Sequence, residues 1–285
     1  FGASTIARLP WDTAEAASVA NAADYNELAA QLTGSLILPS DASYASARLV
    51  FNTIYDNMYP QAVVKAATPH DVQVATNFAR DMGLQPIARA GGHSFQGYST
   101  GSGLVIDVAG LNDVTMNVGR TRARIGAGTN LLRIYGVLAQ RGMAIPGGSC
   151  PTVGISGLTQ GGGIGPFTRQ YGLTLDRLIG AQIVTADGRL LRANARENSD
   201  LFWAIRGGGG GNFGVVTAFE FVPIPASAPN TTVSLIFPWQ HAERVMLAFQ
   251  QWVPTVPLNA HPGMIIRTTP GAPSAEPAVA VSLWH

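Results

Sequence analysis

The sequence predicts an α+β fold, a larger first unit followed by the opening elements of a second, and three observations predict it. Short apolar runs rich in β-branched residues are interleaved with stretches that carry helix start and stop signals. A Pro-, Ala- and Ser-rich stretch, Pro223 to Asn230, reads as an interdomain linker. Three glycine clusters are bracketed by strand-like runs, as in a built cradle, whereas flexible linkers spread glycine among serine and charge.

In chain order, Phe1 to Gln31 is alanine-rich and carries no assignment. Ser40 and Asp41 precede a helical pattern over Tyr44 to Tyr55. Ala62 to Ala66 reads as a short buried strand. Thr68-Pro69-His70-Asp71 then gives a cap and a proline at the first helical position, and the helix stops at Gly83. Gln85 to Ala90 completes a strand–helix–strand module. Leu104 to Asp107, Val114 to Asn117 and Arg122 to Gly126 follow as short strands, then a helix from Thr129 or Asn130 to Gln140, stopped by Gly142. Ile179 to Thr185 and Arg189 to Arg192 form a hairpin around Asp187-Gly188. Asn198 to Arg206 is a short helix, and Gly214 to Val222, β-branched and aromatic, is a strand. Beyond the linker come strand Thr232 to Phe237, helix Gln240 to Trp252, and strands Met264 to Thr268 and Ala278 to Trp284. These are too few to close a core, so more of the second unit is expected beyond them.

Charged residues make up 12% of the chain, the net charge is +1, and no Lys/Arg run exceeds a pair. That removes the electrostatic footprint of a nucleic-acid binder. No apolar run reaches the roughly 18 residues of a membrane span. The expected partner is a small neutral molecule. A single cysteine allows neither an intrachain disulfide nor a multi-cysteine metal site. The first residue is Phe, which leaves export after removal of a leader open.

The glycine clusters carry the chemistry. Ile145 to Leu173, IPGGSCPTVGISGLTQGGGIGPFTRQYGL, holds the lone Cys150. Arg89 to Gly103 holds His93 in a Gly-Gly-His-Ser turn, and Gly207 to Gly214 reads GGGGGNFG. Taken singly, His93 fits a loop residue bonding backbone, and Cys150 fits a small buried hydrophobe. Their neighbours add more. Gly91, Gly92 and Ser94 leave successive N–H groups free to form an anion-binding concavity, with Arg89 expected to supply charge. Gly209-x-Gly211-x-x-Gly214 matches the GxGxxG dinucleotide fingerprint, but a strand follows it where a helix should. No P-loop, GxSxG or metal-spaced histidine pair occurs, and no metal site is expected. Arg169, Arg177 and Asp176 read as surface or ion-pair residues, with Asp176 placed to brace its loop.

The ordered set RAGGHS from Arg89, LVID from Leu104, GSCPTVGISG from Gly148, Gly161-Gly162-Gly163, Tyr171-Gly172-Leu173 with Asp176, ADGRL, and DLFWAIRGGGGGNFGVV closely resembles the berberine bridge enzyme-like flavoproteins of the vanillyl-alcohol oxidase superfamily. The match covers about Val63 to Val222. The resemblance implies a two-subdomain FAD-binding domain of the PCMH type over residues 1–225. It also implies an α+β substrate-binding domain with an antiparallel sheet, of which residues 226–285 are the start. It implies FAD as a bicovalent cofactor, linked through its 8α-methyl to His93 and through C6 to Cys150.

Carried over with these, the implied cofactor-binding positions are Arg89, Ala90, Gly91, Gly92, Ser94, Phe95 and Gly97 in the first cluster. Pro151, Thr152, Val153, Gly154, Gly157, Gly161, Gly162, Leu173 and Asp176 follow in the second, and Phe213, Gly214 and Val215 in the third. Ala90 and Leu158 depart from the residues common in relatives, Ser and His. The implied activity is an oxidase passing hydride from a substrate alcohol, sugar or amine carbon to the flavin, with O2 reduced to H2O2. The rivals are a flavin dehydrogenase with another acceptor and a flavin protein without turnover. The family's base lies in the second domain, and none is assigned here.

Overall fold

The computed structural model describes residues 22–226, 231–268 and 276–284. The chain opens with helix α1 (Ala22–Gln31) and strand β1 (Ser35–Ile37). The continuous helix expected over Tyr44–Tyr55 does not form. Only α2 (Tyr44–Ala47) and one 3-10 turn at Thr53–Tyr55 are helical. The reason is tertiary: the Arg89 guanidinium lies 2.6 Å from the Ala47 carbonyl and 3.5 Å from that of Arg48, acceptors a continuing helix would need. The amide of Phe51 is diverted to Gly92 O at 3.1 Å. Asp41 takes the amide of Leu38 at 2.8 Å and closes a turn instead of capping a helix.

Strand β2 (Ala62–Lys65), helix α3 (Pro69–Asp81), β3 (Pro86–Arg89) and β4 (Leu104–Asp107) then build a sheet in the order β1-β2-β4-β3. The expected strand–helix–strand module is present, with β4 inserted in parallel between its two strands. α3 starts where its sequence says it should. Thr68 Oγ1 accepts from the Asp71 amide at 3.2 Å, and Asp71 accepts in return from the Thr68 amide at 3.1 Å. The buried Asp71 carboxylate also accepts from the amides of Thr33, Gly34 and Ala67. Burial pushes its pKa up, but the four amides outweigh it and hold the group below the ordinary aspartate value.

A second, antiparallel sheet follows. Its strands are β5 (Val114–Met116) and β6 (Ala123–Gly126), then, past α4 (Leu131–Ala139), β7 (Met143–Ala144), α5 (Ile155–Gln160) and α6 (Thr168–Tyr171), β8 (Leu178–Val184) and β9 (Leu190–Asn194). After α7 (Ser199–Ile205), β10 (Val215–Phe221) enters between β6 and β8, giving the order β5-β6-β10-β8-β9. The Asp187-Gly188 turn joins β8 and β9 as read, with Gly188 at φ +78°. Phe219 and Phe221 of β10, Ile125 of β6, Ile134 of α4 and Ile106 of the first sheet are fully buried in one continuous core. Each such side chain contributes roughly 1.5–3 kcal/mol, so the two sheets are held as one body.

The expected linker is partly tied down. β11 (Ile224–Pro225) pairs with β7, and the Ala226 amide donates to Gly142 O at 2.9 Å. Residues 227–230 lie outside the described residues. Beyond them β12 (Thr232–Pro238), α8 (Ala242–Trp252), β13 (His261–Arg267) and β14 (Ala278–Trp284) form an antiparallel sheet in the order β12-β14-β13 with one helix. Val233, Leu235, Ile236, Ile265 and Ile266 of this sheet are exposed.

Candidate functional site

Strand β3 ends at Arg89 and delivers the chain directly into the Gly91-Gly92-His93 turn. The structure corrects the expectation for Arg89. It is only 4% exposed, its guanidinium is 3.2 Å from Asp107 Oδ2, and its remaining N–H groups face the Ala47 and Arg48 carbonyls. Lys65 Nζ meets the same Asp107 oxygen at 2.6 Å. Burial lowers the Arg89 pKa and Asp107 opposes the shift, so the buried guanidinium is committed to Asp107 and the two carbonyls and is not presented to a ligand. The open donors of the turn are backbone amides. Among the described residues, the amides of Gly91, Gly92, His93, Ser94 and Phe95 have no protein acceptor. Gly92 takes φ +68°, a left-handed conformation that favours glycine.

His93 is held on two sides. Its imidazole stacks on Phe51, ring centroids 4.2 Å apart and 20° from parallel, and Nε2 lies 3.0 Å from Thr152 Oγ1. Burial lowers its pKa below the ordinary histidine value, which favours the neutral ring. Downstream, Ser94 Oγ accepts from the Tyr98 amide at 3.2 Å, and Tyr55 Oη donates to Phe95 O at 3.0 Å. Gly97, at φ +74°, sits where a Cβ would enter the Tyr55 ring at 2.6 Å. Phe95 itself is 80% exposed.

The second cluster meets the first through backbone. A Cβ on Gly91 would lie 2.3 Å from the Gly154 amide nitrogen, and one on Gly154 would lie 2.5 Å from that of Gly91 and 3.0 Å from the Ala90 Cβ. The loop carrying Cys150 is docked on the start of α4. Pro151 O and Val153 O accept from the first-turn amides of Leu132 and Leu131, and Ile155 N donates to Thr129 O. Cys150 is a free, exposed thiol, so the buried-hydrophobe alternative does not hold. Past it, the short helix α5 begins at Gly154. A Cβ on Gly157 would meet no atom within 4 Å, whereas Gly162, at φ +116°, packs on Leu173 and Leu175. Gly161 caps the helix. Asp176 braces the loop as read, accepting from the Leu173 amide at 2.8 Å.

The third cluster closes on both. The Gly209 amide donates to Gln160 O at 3.1 Å, a Cβ on Gly210 would stand 3.8 Å from Gly157 Cα, and one on Gly211 would stand 3.7 Å from the Ala88 Cβ. Phe213 is exposed, while Val215 is buried in β10. Gly214 is required by the strand, since its Cβ would strike Val184 O at 2.2 Å. A strand follows it, so the GxGxxG pattern is not a dinucleotide fingerprint here.

Two contacts around these clusters have no sequence signal. One is the Phe51 stack, hidden by the helical pattern around it. The other is Arg169, whose guanidinium donates to Ala260 O at 2.7 Å, Val256 O at 2.8 Å and Pro257 O at 3.1 Å, tying the second glycine loop to the C-terminal elements. His241 lines a groove of about 540 Å³ with Leu235, Phe237, Phe249 and Trp252, apart from the glycine clusters. Among the described residues no group of three His, Cys, Asp or Glu could hold a metal, and no helix is long and apolar enough to cross a membrane.

The chain is similar to known proteins in sequence and in fold. The family model of the FAD binding domain matches residues 60–194. An uncharacterized FAD-linked oxidoreductase of Bacillus subtilis (strain 168), YgaK, is 36% identical over 229 residues, covering 79% of this chain and 50% of that protein. A xylooligosaccharide oxidase of Thermothelomyces thermophilus is 34% identical over 201 residues, covering 68% of this chain and 40% of the oxidase. The solved structure of wild-type BBE-like 1 from Physcomitrella patens superposes with a TM-score of 0.83 at 31% identity, covering 91% of this chain and 56% of that one. The chain therefore spans about half the length of the relatives it matches.

Proposed function

We propose, from its similarity to the FAD binding domain, to FAD-linked oxidoreductases and to berberine bridge enzyme-like proteins, that the chain is the cofactor-holding part of an FAD-dependent oxidase. The observation that carries the reading is the backbone contact between the His93 turn and the Cys150 loop, where Gly91 and Gly154 leave no room for a side chain on either. Residues 1–225 are assigned to the FAD-binding unit and residues 226–285 to a substrate-binding unit.

The residues present fit the cofactor. The unpartnered amides of Gly91 to Phe95 suit the pyrophosphate, which needs donors and, with Arg89 spent on Asp107, receives them from backbone alone. The loop from Pro151 to Gly162 suits the ribityl chain, and Gly157 leaves its space open. Phe213 to Val215 suit the adenine side. His93 and Cys150 are assigned as attachment residues, to the 8α-methyl and to C6. If the neutral His93 ring donates from Nε2 to Thr152 Oγ1, its lone pair is on Nδ1, the atom left to form the bond.

When bound, FAD supplies a hydride acceptor for a substrate C–H bond and a route for the electrons to O2, giving H2O2. A small alcohol, sugar or amine is the substrate class, in keeping with a relative named xylooligosaccharide oxidase. The test is anaerobic mixing of the flavin-loaded full polypeptide with a panel of alcohols, oligosaccharides and amines, followed by admission of oxygen. The expected result is bleaching of the flavin band by at least one class and stoichiometric H2O2 on reoxidation. Bleaching with no oxygen uptake would make the protein a dehydrogenase, and no bleaching by any class would remove the catalytic reading.

A further inference from the structure

We propose that Phe51 is a positioning residue for His93, setting the plane of the imidazole for attachment of the cofactor; the inference rests on the reading of His93 as an attachment site. The two rings lie 4.2 Å apart and 20° from parallel, a close stacked pair. Phe51 is 60% exposed, so the packing of the core does not demand it. Its backbone is nevertheless fixed to the same turn: the Phe51 amide donates to Gly92 O at 3.1 Å, and the carbonyl of Ala47, four residues before Phe51, is held at 2.6 Å by Arg89, four residues before His93. An exposed aromatic ring whose backbone is hydrogen-bonded to the His93 turn is placed to serve that imidazole.

Stacking and hydrogen bonding restrain different motions. The Phe51 face fixes the plane of the His93 ring, and Thr152 Oγ1, 3.0 Å from Nε2, fixes its rotation within that plane. Together they leave one orientation for Nδ1. Attachment joins Nδ1 to the methyl carbon: one methyl C–H bond and the imidazole N–H bond break, one C–N bond forms, and O2 takes up the two electrons and two protons as H2O2. A reacting atom held in one orientation gains rate from the entropy already lost, and a ring free to turn gives that up.

The test uses a Cys150→Ala background, so that denaturation-resistant flavin reports His93 alone. Protein purified with subsaturating cofactor is incubated with excess FAD, and covalent flavin is followed by intact mass after denaturation, beside the Kd for non-covalent FAD. Phe51→Leu is expected to slow attachment about ten-fold, which corresponds to about 1.4 kcal/mol, near the upper end for a stacked aromatic pair. Phe51→Tyr and Phe51→Trp are expected to restore it to within about two-fold, with the Kd for FAD changed by less than about three-fold in all three. Equal attachment rates in the parent and Phe51→Leu would overturn the positioning role. So would slowing matched by an equal loss of FAD affinity, which would make Phe51 a cofactor contact. A Cys150→Ala parent that acquires no covalent flavin at all would instead overturn the assignment of His93.

Discussion

Asp107→Ala is expected to destabilise the protein by about 3–5 kcal/mol, because it leaves the Arg89 guanidinium charged and buried without its counterion. The carboxylate has three obligations. Its Oδ2 meets Lys65 at 2.6 Å and Arg89 at 3.2 Å, and its Oδ1 accepts from the Ala109 amide at 2.9 Å. Lys65 is partly exposed and can turn to water, but Arg89 cannot. The loss therefore concentrates on the strand that leads into the His93 turn. Urea titration should show the shift, and adding Arg89→Met to the Asp107→Ala chain should recover part of it, since the unpaired charge is then gone. A single variant within about 1 kcal/mol of the parent would mean the ion pair is not what holds this strand end.

A second large effect is expected at the contact between the glycine loops. In Gly91→Ala the new methyl would lie 2.3 Å from Gly154 N and 2.9 Å from Thr152 O, both backbone atoms. Neither can swing aside, so the loops must separate. The cost is about 1–3 kcal/mol of overpacking, and bound FAD should be lost because the two walls of its cradle move apart. Gly157→Ala is the matched control. Its methyl would meet no protein atom within 4 Å, and alanine in a helix is favoured over glycine by roughly 0.5–1 kcal/mol. That variant should fold at least as well as the parent yet hold FAD more weakly, because the space it fills is the one the proposed reading gives to the cofactor. Full FAD retention in Gly91→Ala, measured by flavin absorbance after gel filtration, would contradict this account of the cradle.

What was legible in the sequence was what is decided locally. The start of α3 rests on Thr68 and Asp71, three residues apart, and the hairpin on Asp187-Gly188, so both could be read from a few neighbours. The helix expected over Tyr44–Tyr55 failed because its carbonyls are taken by Arg89, some forty residues downstream, and no local pattern carries that. The same fact misdirected the reading of Arg89 itself, whose partner Asp107 comes from a neighbouring strand. The glycine clusters were visible as a cradle, but their meeting through Gly91, Gly154, Gly157 and Gly210 depends on tertiary packing. Helix α5 was hidden by glycines that belong to that packing, and β1, β7 and β11 are too short, at two or three residues, to leave a periodicity.

The most direct test of the central claim, that His93 and Cys150 together anchor FAD, is the intact mass of the denatured, flavin-loaded protein. The predicted mass is that of one polypeptide plus one FAD, less the hydrogens lost at two new bonds. His93→Ala and Cys150→Ala should each keep flavin through the remaining link, and the double variant should keep none after denaturation. Release of all the flavin from the unmutated protein as free FAD would contradict the claim.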